Sequence, residues 1–523
     1  MNVKIRVTAI GLCLSAMAGL VVLLVRPSID PARIRPLPLL IGAWTAFLAA
    51  AWLLRKVPRR ASVVLILLGG IFIQAAAVSA PPHMSSDLYR YIWDGRVQAA
   101  GIDPYQYVPT ATQLDGLRNE FLFSPSYVPG VKYCVSPSYA RSHPAAELTP
   151  GCTRINRPTV PTIYPPVAEA YFLGVYYLHP ADDSSTPIQA ATALAAVLVT
   201  VLLLCGLARL GRDVRMAALW SWCPTVALEA GNNAHVDVIA VGIAAAAILV
   251  LATARTTRRT VLGGILLGLA VATKLTPALT VPALLRRRWV TVLVAAGSTF
   301  IAVYIPHVLR VGGKVIGFLP GYLQQEGYTK GTRFGIIGLF VTGPLAIAVA
   351  ALILAAVAFA VLQFTDPDRP WTGALYMTAA ALAVATPHYQ WYSLLLVMLV
   401  ALDGRPEWLV FAAGGYYAAY PQMGRYVPPL RLADAIAYGV PLMVVAGGWL
   451  VRHELARRSY IGEPLPATAS ADADAAVADP AEAAAGQLTV ADAAGNLAGE
   501  AGPRPVFAAD ADREIGAGRE VPV

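Results

Sequence analysis

The chain has 523 residues, 57% of them hydrophobic and 14% charged, with a mean hydropathy of +0.58; soluble domains carry about 25% charged residues, so a string of about three or four of them is excluded and a membrane protein is described. Apolar runs of the length that crosses the hydrocarbon layer, about 18 residues or more, follow one another along most of the first 450 positions, which excludes a soluble enzyme on a single anchor. The formal charge of +9 averages two unlike pieces, because residues 461–523 hold eleven of the 31 acidic residues and three of the 40 basic ones, leaving −8 on the tail and +17 on the rest.

The tail is rich in alanine and nearly free of aromatics, and it reads as a disordered acidic segment. The basic excess of the remainder is expected to mark cytoplasmic loops; a nucleic-acid partner is not expected.

In chain order the first spans are Val7–Val25, Leu37–Leu54 and Ala61–Ser79. The first is led by Lys4 and Arg6 as a signal peptide would be, but it is long and lacks a clear small-residue cleavage site, so it reads as a span. Arg55, Lys56, Arg59 and Arg60 separate the second from the third and put that turn, and the N-terminus, in the cytoplasm. Residues 80–163 then form a large outer loop, where a site is expected.

Tyr164–His179 is short, opens on Pro165 and Pro166 and precedes Asp182 and Asp183; it reads as an interfacial helix. Spans over Pro187–Leu207, Met216 to about Ala230, and Val236–Ala254 then keep Arg209, Arg212, Arg215, Arg255, Arg258 and Arg259 inside. Thr260–Leu285 begins and ends beside basic clusters and is interrupted by Lys274 and Pro277, the pattern of a hairpin or re-entrant pair lined by protein or a cavity. Later spans are Val290–Leu309, Ile336–Phe364, Trp371–Thr386, Trp391–Leu402, Trp408–Tyr420 and Leu432–Val451, ending inside beside Arg452, Arg457 and Arg458. The expectation is an all-α polytopic protein of about twelve spans plus the hairpin, without the internal repeats of many secondary transporters.

Of five cysteines, Cys13, Cys205 and Cys223 fall in apolar segments and read as small buried hydrophobes. Cys134 and Cys152, separated by 17 residues of the outer loop, are expected to pair in an oxidising compartment, stabilising the loop by about 3 kcal/mol. No metal-binding spacing surrounds them, and no metal or cofactor is expected.

The outer loop opens PPHMSSDLYRYIWDGRVQAAGIDPYQYVP. Ser85 or Ser86 caps a helix there, Gly101 ends it and Pro104 lies just beyond. Asp87, Tyr91 and Asp94 fall on one face at i, i+4 and i+7. Carboxylates beside an aromatic ring, just outside a membrane, suit sugar chemistry, since a carboxylate can take the proton of an acceptor hydroxyl. The alternative is a solvated helix with Asp87 at its N-terminal dipole.

The string DLYRYIWDGRVQAAGIDPYQY resembles the first outer loop of bacterial polytopic GT-C glycosyltransferases, close to family 87 and to polyprenyl-phosphate-mannose-dependent mannosyltransferases. Further matches follow in order: the YPP of Tyr164–Pro166, the group Glu229, Asn232, Asn233, His235 and Asp237, the hairpin GLAVATKLTP with its RRRW end, and TPHYQWY around His388. The resemblance reaches to about residue 450. It implies an added pair of helices in residues 1–60, a GT-C-like catalytic module in residues 61–460, and a tail from 461 to 523 without counterpart. It further implies a bacterial plasma-membrane enzyme with both termini cytoplasmic and its site outside. There a hexose, mannose above all, passes with inversion from polyprenyl phosphate to a lipid or glycan acceptor, with Asp87 as base.

Inversion in one displacement needs one base and a good leaving group, which a lipid phosphate is. Seven residues of helix rise about 10.5 Å, twice the roughly 5 Å of a retaining carboxylate pair, so Asp94 is assigned to sugar or acceptor binding, or to pairing with Arg90 or Arg96. Tyr91, Arg96 and Tyr164 join the expected substrate-binding set, with Glu229, Asn233, His235, Asp237, Lys274 and His388. Ionisable residues at membrane depth are functional candidates by default, but each has a plainer reading. The Glu229–Asp237 group can be a metal site, a sugar site or a hydrogen-bonded span end. Lys274 can meet a lipid phosphate or snorkel. His388, to which the resemblance gives a phosphate contact, can belong to an aromatic belt. Arg310, Lys314, Lys330 and Arg333 lie in an outer loop where they can attract a phosphate. No glycine-rich phosphate loop, Rossmann fingerprint or HExxH motif occurs, so a nucleotide-sugar site is not expected. A transporter or flippase of a lipid-linked sugar is the second class of reading, and a polysaccharide polymerase or ligase the third.

Overall fold

The computed structural model describes residues 2–26, 36–123, 152–181, 183–419 and 430–460. Among them there are helices, turns and no strand. The chain divides into a unit of residues 1–453 and a second from 454 onward. Of the tail beyond residue 460 nothing is described, so its expected disorder lies outside the described residues.

The main helices are α1 (Val3–Val25), α2 (Pro36–Leu54), α3 (Arg59–Val78), α4 (Asp87–Ala99), α5 (Pro166–Leu178), α6 (Thr186–Arg209), α7 (Asp237–Ala252), α8 (Thr257–Val271), α9 (Trp289–Val311), α10 (Gly343–Phe364), α11 (Pro370–Ala385), α12 (Leu394–Asp403), α13 (Val410–Ala419) and α14 (Leu430–Tyr460). Among the described residues, seven helical segments, beginning in α1, α2, α3, α6, α9, α10 and α14, are long and apolar enough to cross a bilayer, which makes this a multi-pass membrane protein. Their flanks carry exposed apolar side chains, among them Leu12, Trp52, Leu198, Ile301 and Leu352. Faces of that kind suit lipid rather than water.

The remaining expected spans take shorter or broken forms. α12 is ten residues long with every residue buried, a core helix surrounded by the others. Met216 to Ala230 is not one helix. It runs as a 3-10 turn, two short α pieces interrupted at Pro224, and a π turn over Ala227–Asn232, with Ala234 left-handed at φ 54. The whole stretch from Ala217 to Val238 is buried, so protein surrounds this irregular backbone, the condition under which a membrane protein tolerates it. π turns inside helices frequently accompany functional sites.

α8 ends at Val271 and the chain breaks at Lys274 before a 3-10 turn and the short helix Val281–Leu284, which agrees with the interrupted hairpin read at Lys274 and Pro277. α4 begins at Asp87 and is followed by Gly101 in the left-handed region at φ 79. The amide of Asp87 donates to Ser85 Oγ at 3.2 Å, while Ser86 occupies the N-cap without a side-chain bond. Nine of the thirteen α4 residues are buried; the helix is therefore not a solvated one. It packs on α5, and the approach is close enough that a Cβ at Gly95 would stand 2.6 Å from the Phe172 carbonyl oxygen. Tyr91 stacks on Phe172 across this contact, 4.4 Å between ring centres.

Candidate functional site

The N-terminus of α4 forms one wall of a cavity of about 850 Å³. The stretch 156–165, the break after α8, the segment 318–328, the end of α11 and residues 387–395 form the others. Of the residues singled out in the sequence, Asp87, Tyr164, Lys274 and His388 line it. With them stand Arg90, Asn156, Arg157, Tyr322, Trp391 and Tyr392.

Asp87 sits at the first turn of its helix with its side chain 14% exposed. Asn156 donates its amide to Oδ1, and the Tyr164 hydroxyl points to Oδ2 at 3.4 Å. The backbone leading into α4 is fixed from the buried irregular segment. Asn232 Oδ1 accepts from the His83 amide at 3.1 Å and Asn233 Oδ1 from the Met84 amide at 3.2 Å. Asn232 Nδ2 donates to the carbonyls of Ala77, Ala80 and Pro81, each at 3.1 Å. Polar side chains that satisfy both ends of a turn hold it rigidly, so the NN pair sets the position of Asp87.

Glu229, Asn233, His235 and Asp237 lie behind the cavity, each no more than 2% exposed, and none lines it. The substrate contacts expected of these four do not appear at the cavity wall, and Glu229, Asn233 and Asp237 are bonded within the protein. Asn233 Nδ2 donates to Glu229 Oε2 at 3.0 Å and the Tyr416 hydroxyl to Oε1 at 2.8 Å. Asp237 accepts from Lys274 Nζ at 2.9 Å. The His235 ring stacks on Trp391, 3.8 Å between centres. Lys274 itself reaches the cavity, with the rings of Tyr164 and Tyr392 at 5.4 and 5.9 Å from its nitrogen. Pairing to one carboxylate oxygen leaves ammonium protons for an anion in the cavity.

Tyr91, Asp94 and Arg96 do not line the cavity either. Arg90 Nε bonds both Asp94 oxygens, at 2.9 and 3.0 Å, which is the pairing alternative for Asp94, and Arg96 donates to the Leu117 carbonyl at 3.2 Å. Tyr91 is enclosed by Tyr164 and Phe172. Beside Asp94 lies Glu169, fully buried, accepting from Thr162 Oγ1 at 2.7 Å and from Gln98 Nε2 at 2.9 Å. Burial and then the Asp94 charge push the Glu169 carboxyl well above its ordinary range. Burial also raises Asp94, and the Arg90 guanidinium opposes that rise.

His388 faces the cavity with both ring nitrogens engaged. Arg333 donates to Nδ1 at 2.7 Å, and Nε2 meets Asp434 Oδ2 at 3.0 Å. A guanidinium can only donate, so the proton of this imidazole is on Nε2. A phosphate reaching His388 through either nitrogen would displace one of these partners. The motif is shaped by Thr386, left-handed at φ 41, an uncommon conformation for a β-branched residue. Its hydroxyl accepts from the Gly335 amide and donates to the Arg333 carbonyl, both at 2.9 Å. Arg310, Lys314 and Lys330 are exposed and outside the cavity lining, and Arg333 is buried behind His388.

Asn156 and Arg157 were not legible as site residues. They follow Cys152 in a loop with no periodic pattern, and only their nearness to the YPP motif hints at them. Arg157 is left-handed at φ 49 and donates to Gln325 Oε1 at 3.1 Å, with Glu326 at 3.7 Å. Cys134 lies outside the described residues and with it the expected Cys134–Cys152 pairing; Cys152 is buried. Among the described residues no three His, Cys, Asp or Glu side chains gather as a metal site.

The glycosyltransferase family 87 model matches residues 163–387 of this chain, the stretch that carries the YPP motif, the buried NN pair, the hairpin and the approach to His388. The match spans under half of the chain, so the chain is similar to family 87 over its central part. No curated protein matches it. Among solved structures it is similar to ArnT from Cupriavidus metallidurans bound to undecaprenyl phosphate, at 14% identity and a TM-score of 0.38, covering 76% of this chain and 72% of that one.

Proposed function

We propose that this family-87-like chain transfers a hexose, most simply mannose, from a polyprenyl-phosphate donor to a hydroxyl of a lipid or glycan acceptor, with inversion at the sugar. The observation that carries the reading is one carboxylate, Asp87, held by Asn156 and Tyr164 at the wall of a large cavity that also presents the Lys274 ammonium. Asp87 takes the acceptor proton as the acceptor oxygen attacks the anomeric carbon, and the bond to the phosphate breaks with the electron pair leaving on the phosphate. Lys274 stabilises the charge gathering there. The ring faces of Tyr322, Trp391 and Tyr392 offer apolar contact to the sugar or to the first isoprene units. Asp94, bound to Arg90, is not available as a second nucleophilic carboxylate, which favours inversion over retention.

In this reading the protein lies in a bacterial plasma membrane with both termini cytoplasmic and the cavity opening outside, the side that the basic loops assign. Residues 61–460 form the catalytic module and α1 and α2 an added pair. The test is transfer of label from synthetic polyprenyl-phosphate mannose into a lipid and glycan extract of the source bacterium, by wild type and Asp87→Asn side by side. Transfer by wild type alone, with a loss of about 10²- to 10⁴-fold in the variant, is the expected result. Equal transfer by both would overturn the assignment of Asp87. Movement of intact donor across a proteoliposome membrane without transfer would replace the enzyme by a flippase.

A further inference from the structure

His235 is fully buried, yet neither of its ring nitrogens has a hydrogen-bond partner. Native proteins rarely leave such groups unpaired, and those that persist call for an explanation. Nδ1 stands 3.7 Å from Asp87 Oδ2, and Nε2 stands 3.5 Å from Glu229 Oε2. The imidazole thus bridges the carboxylate at the cavity wall to one sealed behind it. These separations exceed a hydrogen bond, but contacts of this kind commonly tighten only when substrate is bound. Stacking on Trp391 does not account for the residue type, because a phenyl ring would stack as well.

We infer that His235 is a proton relay behind Asp87, passing the acceptor proton onward to Glu229. The inference rests on Asp87 being the base. When the acceptor O–H bond breaks, its proton goes to Asp87, and the acceptor oxygen bonds to the anomeric carbon. Protonated Asp87 then gives that proton to Nδ1 of neutral His235 while the proton on Nε2 passes to Glu229 Oε2. Asp87 is left ionised, His235 neutral in its other tautomer and Glu229 neutral. The reverse passage returns the proton to Asp87, which gives it to the departing phosphate in the cavity, and all three groups are back in their starting state.

The surroundings fit a receiver of protons. Asn233 and Tyr416 hold Glu229 by one donor on each oxygen, leaving Oε2 a further lone pair for the histidine. Lys274 is the cation whose charge reaches His235, and it is paired with Asp237. Asp87, Glu229, Asp237, Lys274, Tyr164 and Tyr416 are the titratable groups gathered here from their several elements. His235 acts through Asp87 and is a positioning residue in that sense; it does not line the cavity.

The experiment compares the full-length wild type with His235→Phe, which keeps the ring on Trp391, and with Glu229→Gln, which keeps the hydrogen-bonding shape. Donor and extract are as above, and turnover is followed in mixtures of light and heavy water. The relay predicts a kcat lower by about 10- to 100-fold in each variant, with the donor KM within about twofold. It also predicts a curved dependence on deuterium fraction in wild type, from two protons in flight, that becomes linear in Glu229→Gln. Wild-type kcat in either variant overturns the relay, as does a lower kcat with the same curvature. If His235→Phe does not fold, Glu229→Gln alone decides by its curvature. Full activity of Asp87→Asn would instead remove the base, a failure distinguishable from that of the relay.

Discussion

Asn156 donates its side-chain amide to the carboxylate of Asp87, 69 residues earlier in the chain. Asn156 comes from the loop before the YPP motif and Asp87 from the first turn of α4, so this bond joins two ends of the outer loop at the proposed base. It orients one oxygen and leaves the other toward Tyr164 and His235.

Asn156→Ala is expected to lower kcat about tenfold while leaving the donor KM close to wild type, because an orienting bond to a base acts mainly on the chemical step. Steady-state kinetics with labelled polyprenyl-phosphate mannose checks this; a change confined to KM would make Asn156 a substrate ligand.

Lys274→Met strands the Asp237 carboxylate in a buried setting, which costs about 3–5 kcal/mol when one partner of a buried pair is removed. Adding Asp237→Asn is expected to recover thermal stability. Donor affinity is expected to stay reduced by about tenfold, the loss of one charge-assisted contact to phosphate. Melting temperatures and KM of the single and double variants separate the two effects, and recovery of both together would leave Lys274 a purely structural role.

The raised Glu169 carboxyl gives a pH dependence of definite sign. Its carboxyl titrates higher folded than unfolded, so the contribution is fully present below the ordinary carboxylate range and is lost as pH rises through the folded value. The melting temperature is expected to fall as pH rises from the ordinary carboxylate range through the folded value, and Glu169→Gln, which keeps the side-chain shape without titrating, to flatten that slope. An identical slope in the variant would assign the dependence to other groups.

Cys134→Ser together with Cys152→Ser is expected to lower stability by about 3 kcal/mol, on loop-closure grounds, with residual turnover retained. Melting curves of wild type with and without reductant should reproduce the difference. Truncation after Tyr460 is expected to leave transfer intact in the same assay.

Helix α4 was readable because its start and stop are local chemistry: serines before Asp87 and Gly101 after the last turn place both ends within a residue or two. The break at Lys274 and Pro277 was readable for the same reason. Met216 to Ala230, by contrast, has a span's composition, and only its burial on every side turns it into an irregular core segment around Asn232 and Asn233. Apolar composition is shared by lipid-facing and protein-facing helices, so it cannot distinguish them.

The sequence by itself determined a multi-pass helical protein and the helix on which Asp87 stands, and it offered Asp87, Tyr164, Lys274 and His388 as candidates that the structure places along one cavity. These follow from hydropathy, capping and motif, each legible within a few neighbouring residues. Only the tertiary structure decided that Glu229, Asn233, His235 and Asp237 stand behind the wall, that Asp94 is taken by Arg90, and that Asn156 meets Asp87. Those outcomes depend on contacts between residues far apart in the chain, and the direction in which a polar side chain points across such a gap is set by packing that no local pattern records.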